Sequence, residues 1–286
     1  MSSMDVFSNI STLFNSFTKS EKRVAEYILQ NRSQIMYMSI TELSEKSSVG
    51  ESSIFRFCKG LGYTGYQEFK IAVAQSLSGE NSDATYTIGT EILLNDSLEE
   101  MASKVKMTNI SALDETEKLL DYGVLADAVE KMVEAEKIRF FGIGSSLITA
   151  MEGHNKFLRI TNKAELTVDS HLQAMSAALM TEKEVAIVIS YSGQTKDSIE
   201  VAKMAKASGA YVIAITRFHK SPMTAFADAT LLCGANEGPL QGGSLSAKIA
   251  QLYLLDVLYF EYFKKTYEVS KANKERTAKA VADKLL

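Results

Sequence analysis

The feature that most restricts what this chain can fold into is a change of hydrophobic period partway along it. Up to residue 77, apolar residues recur at three- and four-residue spacing, in Val6, Ile10, Leu13 and Phe14 and again in Val24, Tyr27 and Ile28. That is the mark of helices that each bury one face. Beyond residue 137 the pattern becomes short runs rich in β-branched and aromatic residues: IRFFGI, AELTV, VAIVIS, AYVIAIT and ATLLC. Each is bounded by turn residues and separated from the next by a helical stretch. Strands alternating with helices in this way form a parallel sheet, because the crossover helix returns the chain to the same end. The expected architecture is therefore an all-α domain joined to an α/β three-layer domain with a parallel sheet of about five strands.

Between the two patterns, SGENSDATYTIGTEILLND loses its period and gathers small and polar residues, as a connector does. The expected divisions are a helical domain over 1–77, a linker over 78–96 and the α/β domain over 97–286. Helices are expected at 98–120 and 125–134 ahead of the first strand. The apolar stretch 244–263 supplies a further covering helix, and KANKERTAKAVADKLL a last amphipathic one. Thr18 with Glu21, Ser39 with Glu42 and Thr64 with Gln67 each fit a capping box, which places three helix starts in the first domain.

Composition mainly excludes. With 46% apolar and 23% charged residues the chain has the material for packed cores. It has no run of about 18 apolar residues, and the start MSSMDVFSNI lacks a basic flank before an apolar core. Neither export nor a membrane span is expected. Cys58 and Cys233 lie far apart with no CxxC or Cys/His spacing, so they are expected to be buried thiols in a reducing cytoplasm. The first 77 residues carry eight Lys/Arg against seven Asp/Glu, so charge alone does not announce nucleic acid. A DNA-binding reading has to rest on geometry.

That geometry is present in SITELSEKSSVGESSIFRFCKGLG, residues 39–62. Leu43, Val49, Ile54 and Phe57 stand where two helices joined by a tight turn need apolar contacts, and Ser44 is the small residue where they cross. The turn position most often occupied by Gly is here Ser48. A second helix from about Glu51 to Leu61 would enter the major groove and present Ser52, Ser53, Arg56 and Lys59. Arg56 is the best candidate for a guanine or phosphate contact. Tyr63, Gln67 and Lys70 are expected to be merely exposed. The run VGESSIFRFCKGLGYTGYQEFK resembles the N-terminal domain of RpiR-type regulators, and the resemblance extends over essentially the whole chain.

Two loops in the second half carry the other candidate chemistry. The first strand leads into Gly142-Ile143-Gly144-Ser145-Ser146 and then a helix, whose unpaired first-turn amides and dipole favour a phosphate. Leu147 stands where GxGxxG needs its third glycine, and no GK[ST] triplet exists, so dinucleotide and P-loop sites are poorer readings. The third strand leads into Ser190-Tyr191-Ser192-Gly193-Gln194-Thr195, again at a helix start. In an open parallel sheet both loops lie at the carboxyl ends of strands, where ligands bind. The alternative is that Ser145 and Thr195 are only helix N-caps.

The pair of loops looks like the phosphosugar-binding loops of SIS (sugar isomerase) domains, which have a flavodoxin-like sheet. By that resemblance Ser145, Ser146, Ser190, Ser192 and Thr195 hold the phosphate, while Gly144, Gly193 and Gln194 shape the loop. Residues 154–160 and 246–259 also match the regulators' pattern, except that Lys248 stands where the family commonly has Arg.

Such a fold can also isomerise sugars, for which His154, His171, Asp169, Glu152 and Glu237 are the available acids and bases, but none forms a recognisable catalytic spacing. The expected function is a non-enzymatic, cofactor-free transcription regulator in the cytoplasm. It would act as a homodimer on double-stranded operator DNA under control of a sugar phosphate. The alternative is an aminosugar-phosphate isomerase with an accessory helical domain.

Overall fold

The computed structural model describes residues 5–80, 92, 93, 95–239 and 245–284. Most of the segment expected as the linker, and residue 244, where the covering helix was expected to begin, lie outside them. The chain separates into two compact units, Met1–Thr108 with Asn236–Gly242, and Asn109–Ala235 with Gly243–Leu286. The division falls within one long helix, α7.

The first unit is all helix: α1 (Val6–Leu13), α2 (Lys19–Gln30), α3 (Arg32–Ile35), α4 (Ile40–Ser47), α5 (Glu51–Gly60) and α6 (Tyr66–Glu80), followed by the start of α7 (Leu98–Lys118). Two of the three expected capping boxes are present in full. Thr18 and Ser39 each accept from the backbone amide three residues on, and Glu21 and Glu42 reach back to the cap amides. The third differs. Glu68, not Gln67, accepts from both the amide and the hydroxyl of Thr64, at 2.6 and 2.5 Å. Helix α6 begins only at Tyr66, so the residue one turn in is Glu68. One core holds the unit together, centred on Ile10, Val24, Ile28, Leu43, Ile54, Phe57 and Phe69. Phe57 lies against Phe17 and Phe69, with ring centroids 5.1 and 6.0 Å apart.

The second unit is built on five strands, β1 (Lys137–Gly142), β2 (Ala164–Leu166), β3 (Glu184–Ile189), β4 (Tyr211–Thr216) and β5 (Ala229–Leu232). All pair in parallel, in the order β2-β1-β3-β4-β5. Side chains alternate by strand period. Ile138 and Phe140, Val185, Ile187 and Ile189, and Ile213 and Ile215 enter one core; Phe141, Ala186, Val188, Val212 and Ala214 enter the other. The first core is covered by α8 (Tyr122–Glu134), α9 (Ser145–Leu158) and α12 (Ser246–Lys265). The second is covered by α10 (Ser170–Ala178) and α11 (Lys196–Ala207). The tail forms α13 (Tyr267–Ala280), which buries only Ser270 and is tied to the end of α9 through Asn273 Nδ2 to Ile160 O (3.0 Å).

Candidate functional site: a two-helix reading head and a pair of serine loops

Helices α4 and α5 meet through a three-residue turn. Ser48 has φ 55° and ψ 45°, the left-handed conformation that Gly favours, so the serine takes the glycine's geometry at some steric cost. The Ser44 hydroxyl donates to Val49 O at 2.5 Å across the turn, and the Thr41 hydroxyl donates to Glu51 Oε1 at 2.6 Å between the helices. Leu43, Ile54 and Phe57 are fully buried, with Val49 packed against them, as their spacing required.

The outward face of α5 is not quite the expected one. Ser52, Arg56 and Lys59 are exposed, but Ser53 is buried and its hydroxyl accepts from Arg56 Nη2 at 3.2 Å. At this helical phase residue 53 turns with Ile54 and Phe57 toward the core. Its place on the surface is taken by Phe55, 46% exposed, with Lys59 Nζ 5.5 Å from its ring centroid. An apolar residue on a surface that the spacing marks as polar gives no sequence signal, so Phe55 was missed.

Lys70 also departs from expectation. It is buried, and its ammonium donates to Met38 O at 2.9 Å beside the Tyr66 ring. Burial pulls it down to about 8, against the attraction of Glu42. Gln67 is exposed, whereas Tyr63 is half-buried and lies edge-on to Phe69.

In the second unit the sequence's two loops leave adjacent strands. Gly142 and Ile189, the last residues of β1 and β3, are paired in register. In this strand order the chain winds outward in opposite directions from β1 and β3, so the crevice between their carboxyl ends is the topological switch point. Both helices that start there are long enough to carry a dipole, 14 residues in α9 and 12 in α11. Gly144 caps α9 at φ 58° and ψ −124°, a conformation open essentially to Gly alone. Ser145 and Ser146 follow in the first turn, half-buried.

The second loop is braced from behind. Thr216 Oγ1 and Arg217 N both donate to Tyr191 O, at 3.1 and 2.9 Å, and Tyr191 OH donates to Ala235 O at 2.9 Å. Gly193 has φ 61°, and a Cβ there would meet Ser221 Oγ at 2.2 Å. Ser192 Oγ accepts from the Gln194 amide at 3.1 Å. Thr195 stands at the cap of α11, yet its side chain makes no capping bond; its oxygen lies 3.5 Å from the hydroxyl of buried Ser190. The hydroxyls of Ser190, Ser192 and Thr195 thus belong to one rigid loop at a helix start. Gln173, unmarked in the sequence, is 1% exposed and donates to Gly142 O at 3.0 Å, fixing the end of β1.

The acids and bases considered for catalysis do not gather. Asp169 caps α10 by accepting from Leu172 N at 3.0 Å, and the His171 side chain is 90% exposed. Glu152 accepts from Asn155 on α9, and His154 is half-buried on the same helix. Glu237 falls in the segment grouped with the helical unit. Lys248 is half-buried near the start of α12. Cys58 and Cys233 are buried free thiols, and burial pushes Cys58 up to about 12. Among the described residues no helix is long and apolar enough to cross a membrane.

A helix-turn-helix unit and a parallel α/β unit with paired helix-start loops define the class, a two-part transcriptional regulator. Residues 4–80 match the helix-turn-helix domain of the rpiR family, and residues 131–260 match the SIS domain. The chain is 33% identical to an HTH-type transcriptional regulator of Haemophilus influenzae over 98% of its own length and 97% of the relative's. It is 34% identical to HexR of Pseudomonas aeruginosa, covering 89% and 87% of the two chains. The structure of Vibrio vulnificus NanR complexed with ManNAc-6P superposes with a TM-score of 0.87 at 28% identity, over 98% of this chain and 99% of that one. The sugar isomerase domain of an RpiR transcription factor from Sphaerobacter thermophilus shares the fold of the second unit, with a TM-score of 0.58 at 19% identity. The chain belongs to the rpiR family of HTH-type transcriptional regulators.

Proposed function

We propose that this regulator is a cytoplasmic, non-enzymatic sensor whose grip on operator DNA is set by a phosphorylated sugar held at the β1/β3 switch point. The observation that carries the reading is the convergence of two serine-bearing helix starts, Gly144-Ser145-Ser146 and Ser190 to Thr195, on adjacent strand ends. Helix amides and hydroxyls supply donors to a dianion without a metal. The phosphate takes Ser145, Ser146, Ser190, Ser192 and Thr195, while Gly144, Gly193 and Gln194 hold the backbone in shape. A phosphosugar in the similarly folded NanR supports the ligand class. The scattered acids and bases supply no proton relay, which favours a sensor over an isomerase.

On the DNA side, Arg56 is the principal contact, with Ser52 and Lys59 beside it on the same face of α5. Ser53 serves by orienting the Arg56 guanidinium rather than by touching DNA. Two such heads, one from each protomer of a homodimer, would read half-sites about 34–36 Å apart. The working divisions are a reading head over 1–77, a connector over 78–96 and a sensing domain over 97–286.

Titration calorimetry with a panel of hexose and aminosugar phosphates tests the sensing half. Ser190→Ala with Ser192→Ala is expected to weaken the best ligand by about 1–3 kcal/mol per lost bond; unchanged affinity refutes the assignment, and turnover of any panel member refutes the sensor. Arg56→Ala is expected to cost about 1–3 kcal/mol of operator binding while leaving ligand affinity intact. An unaltered gel shift counts against it.

A further inference from the structure

Two helices of the second unit leave apolar stripes in solvent. On α9, Ile148, Met151 and Leu158 point away from Thr149, Ala150 and Phe157, which are packed inward. On α10 the stripe is Leu172, Met175 and, at the helix end, Leu179. All six are between 45% and 77% exposed.

The stripes flank one edge of the sheet. Helix α9 packs on β1 and β2 from the first core's side. Helix α10 lies on the opposite side, where Arg139 Nη1 of β1 donates to Ser176 Oγ at 2.6 Å and Ala177 packs with Phe141. Between them runs β2, three residues long and last in the strand order, so its outer edge carries no neighbouring strand among the described residues. The remaining exposed positions of the two helices are Asn155, His171 and Ala178, none of them Lys, Arg, Asp or Glu. An apolar surface free of carboxylates and ammonium groups is the composition of an interface centre, where methionine is enriched and charge depleted.

Size points the same way. Six Ile, Leu and Met side chains exposed to this degree present an apolar area on the order of 600 Å². That is at the upper end of what a monomer leaves bare, and with the β2 edge it approaches the roughly 800 Å² each partner gives to a standard interface. We propose that this face is where a second copy of the chain docks, the α9 and α10 stripes of one protomer meeting those of its partner about a twofold axis. An uncharged apolar patch is self-complementary, as an isologous contact requires. The face also begins one turn from the serine loop, since Ile148 follows Ser145 by three residues on α9. The sensing reading gives the dimer its purpose, but the evidence for this face stands apart from it.

Sedimentation of the full chain, with no DNA or sugar phosphate present, tests the face separately from the function. At about 50 µM protomer the wild type is expected to be a dimer. Leu172→Glu with Met175→Glu, both solvent-facing substitutions, is expected to raise the dimer Kd at least about 100-fold with the circular dichroism unchanged. A monomeric wild type, or a double variant that stays dimeric, overturns the proposal. A second arm covers a double variant that does not fold. Single cysteines are placed in turn at the six stripe positions, the two native thiols being buried. A disulfide-linked dimer under mild oxidation at one or more of these positions supports the face, and none at any position overturns it.

Discussion

At residue 193 the serine loop has almost no latitude. The backbone is left-handed there, and a methyl group would overlap the Ser221 hydroxyl. Gly193→Ala is therefore expected to cost about 1–3 kcal/mol of stability through strain and to abolish phosphosugar binding, as read by thermal melting and calorimetry on the same sample. Lys70 makes a different kind of demand. Its folded-state value, about 8, lies below the ordinary lysine range, chiefly because burial penalises the ammonium. Between about pH 8 and pH 10.4 the unfolded chain holds a proton that the folded chain has released, so this group's penalty is full below pH 8 and is relieved as pH rises. Lys70→Met is expected to stabilise the helical unit by about 1–3 kcal/mol at pH 7 and to flatten its pH dependence between 8 and 10, since Tyr66 OH still reaches Met38 O at 3.3 Å. Urea titrations at pH 7 and 9.5 measure both effects; a wild type that gains nothing relative to the variant over that window refutes the buried-charge account. Neither Lys70's burial nor Ser53's was legible in the sequence, because single polar residues at the margin of a helix's apolar face turn inward or outward according to what the neighbouring helices leave open.

Among the elements, the α4–α5 pair shows local rules and tertiary packing in agreement. The Ser39–Glu42 box starts the first helix, Ser48 turns the chain, and Leu43, Ile54 and Phe57 close the angle. The turn holds the one residue in conflict with its position, since Ser48 is exposed and left-handed. Ser48→Gly is expected to raise stability by about 0.5–1 kcal/mol by removing that strain. A lowered melting temperature refutes the strain argument. Removing the cap by Ser39→Ala should cost about 0.5–2 kcal/mol, because two first-turn groups lose their partners together. The strands were legible almost to the residue, because runs buried on both sides tolerate so few residue types. The Thr64 box was misread by one position, since a one-residue shift in where α6 begins brings Glu68 rather than Gln67 to the cap.

For the whole molecule, sensing requires that ligand and DNA affinities be linked. A coupling of about 1–3 kcal/mol corresponds to a 5- to 150-fold change in operator affinity, and by linkage the operator changes ligand affinity by the same factor. Calorimetry with and without operator fragment checks this reciprocity; equal ligand affinities in both states would remove the regulatory coupling. The amino-acid sequence by itself determined the two architectures, the five strands, the reading helices and the two serine loops, because period, capping and turn chemistry act between residues a few positions apart. Only the tertiary structure decided that β1 and β3 are neighbours and so bring those loops together. It also decided that Ser53 and Lys70 lie inside, and that the stripes of α9 and α10 remain uncovered. Those outcomes depend on which surfaces meet across long stretches of chain, and residue spacing along the chain carries no record of them.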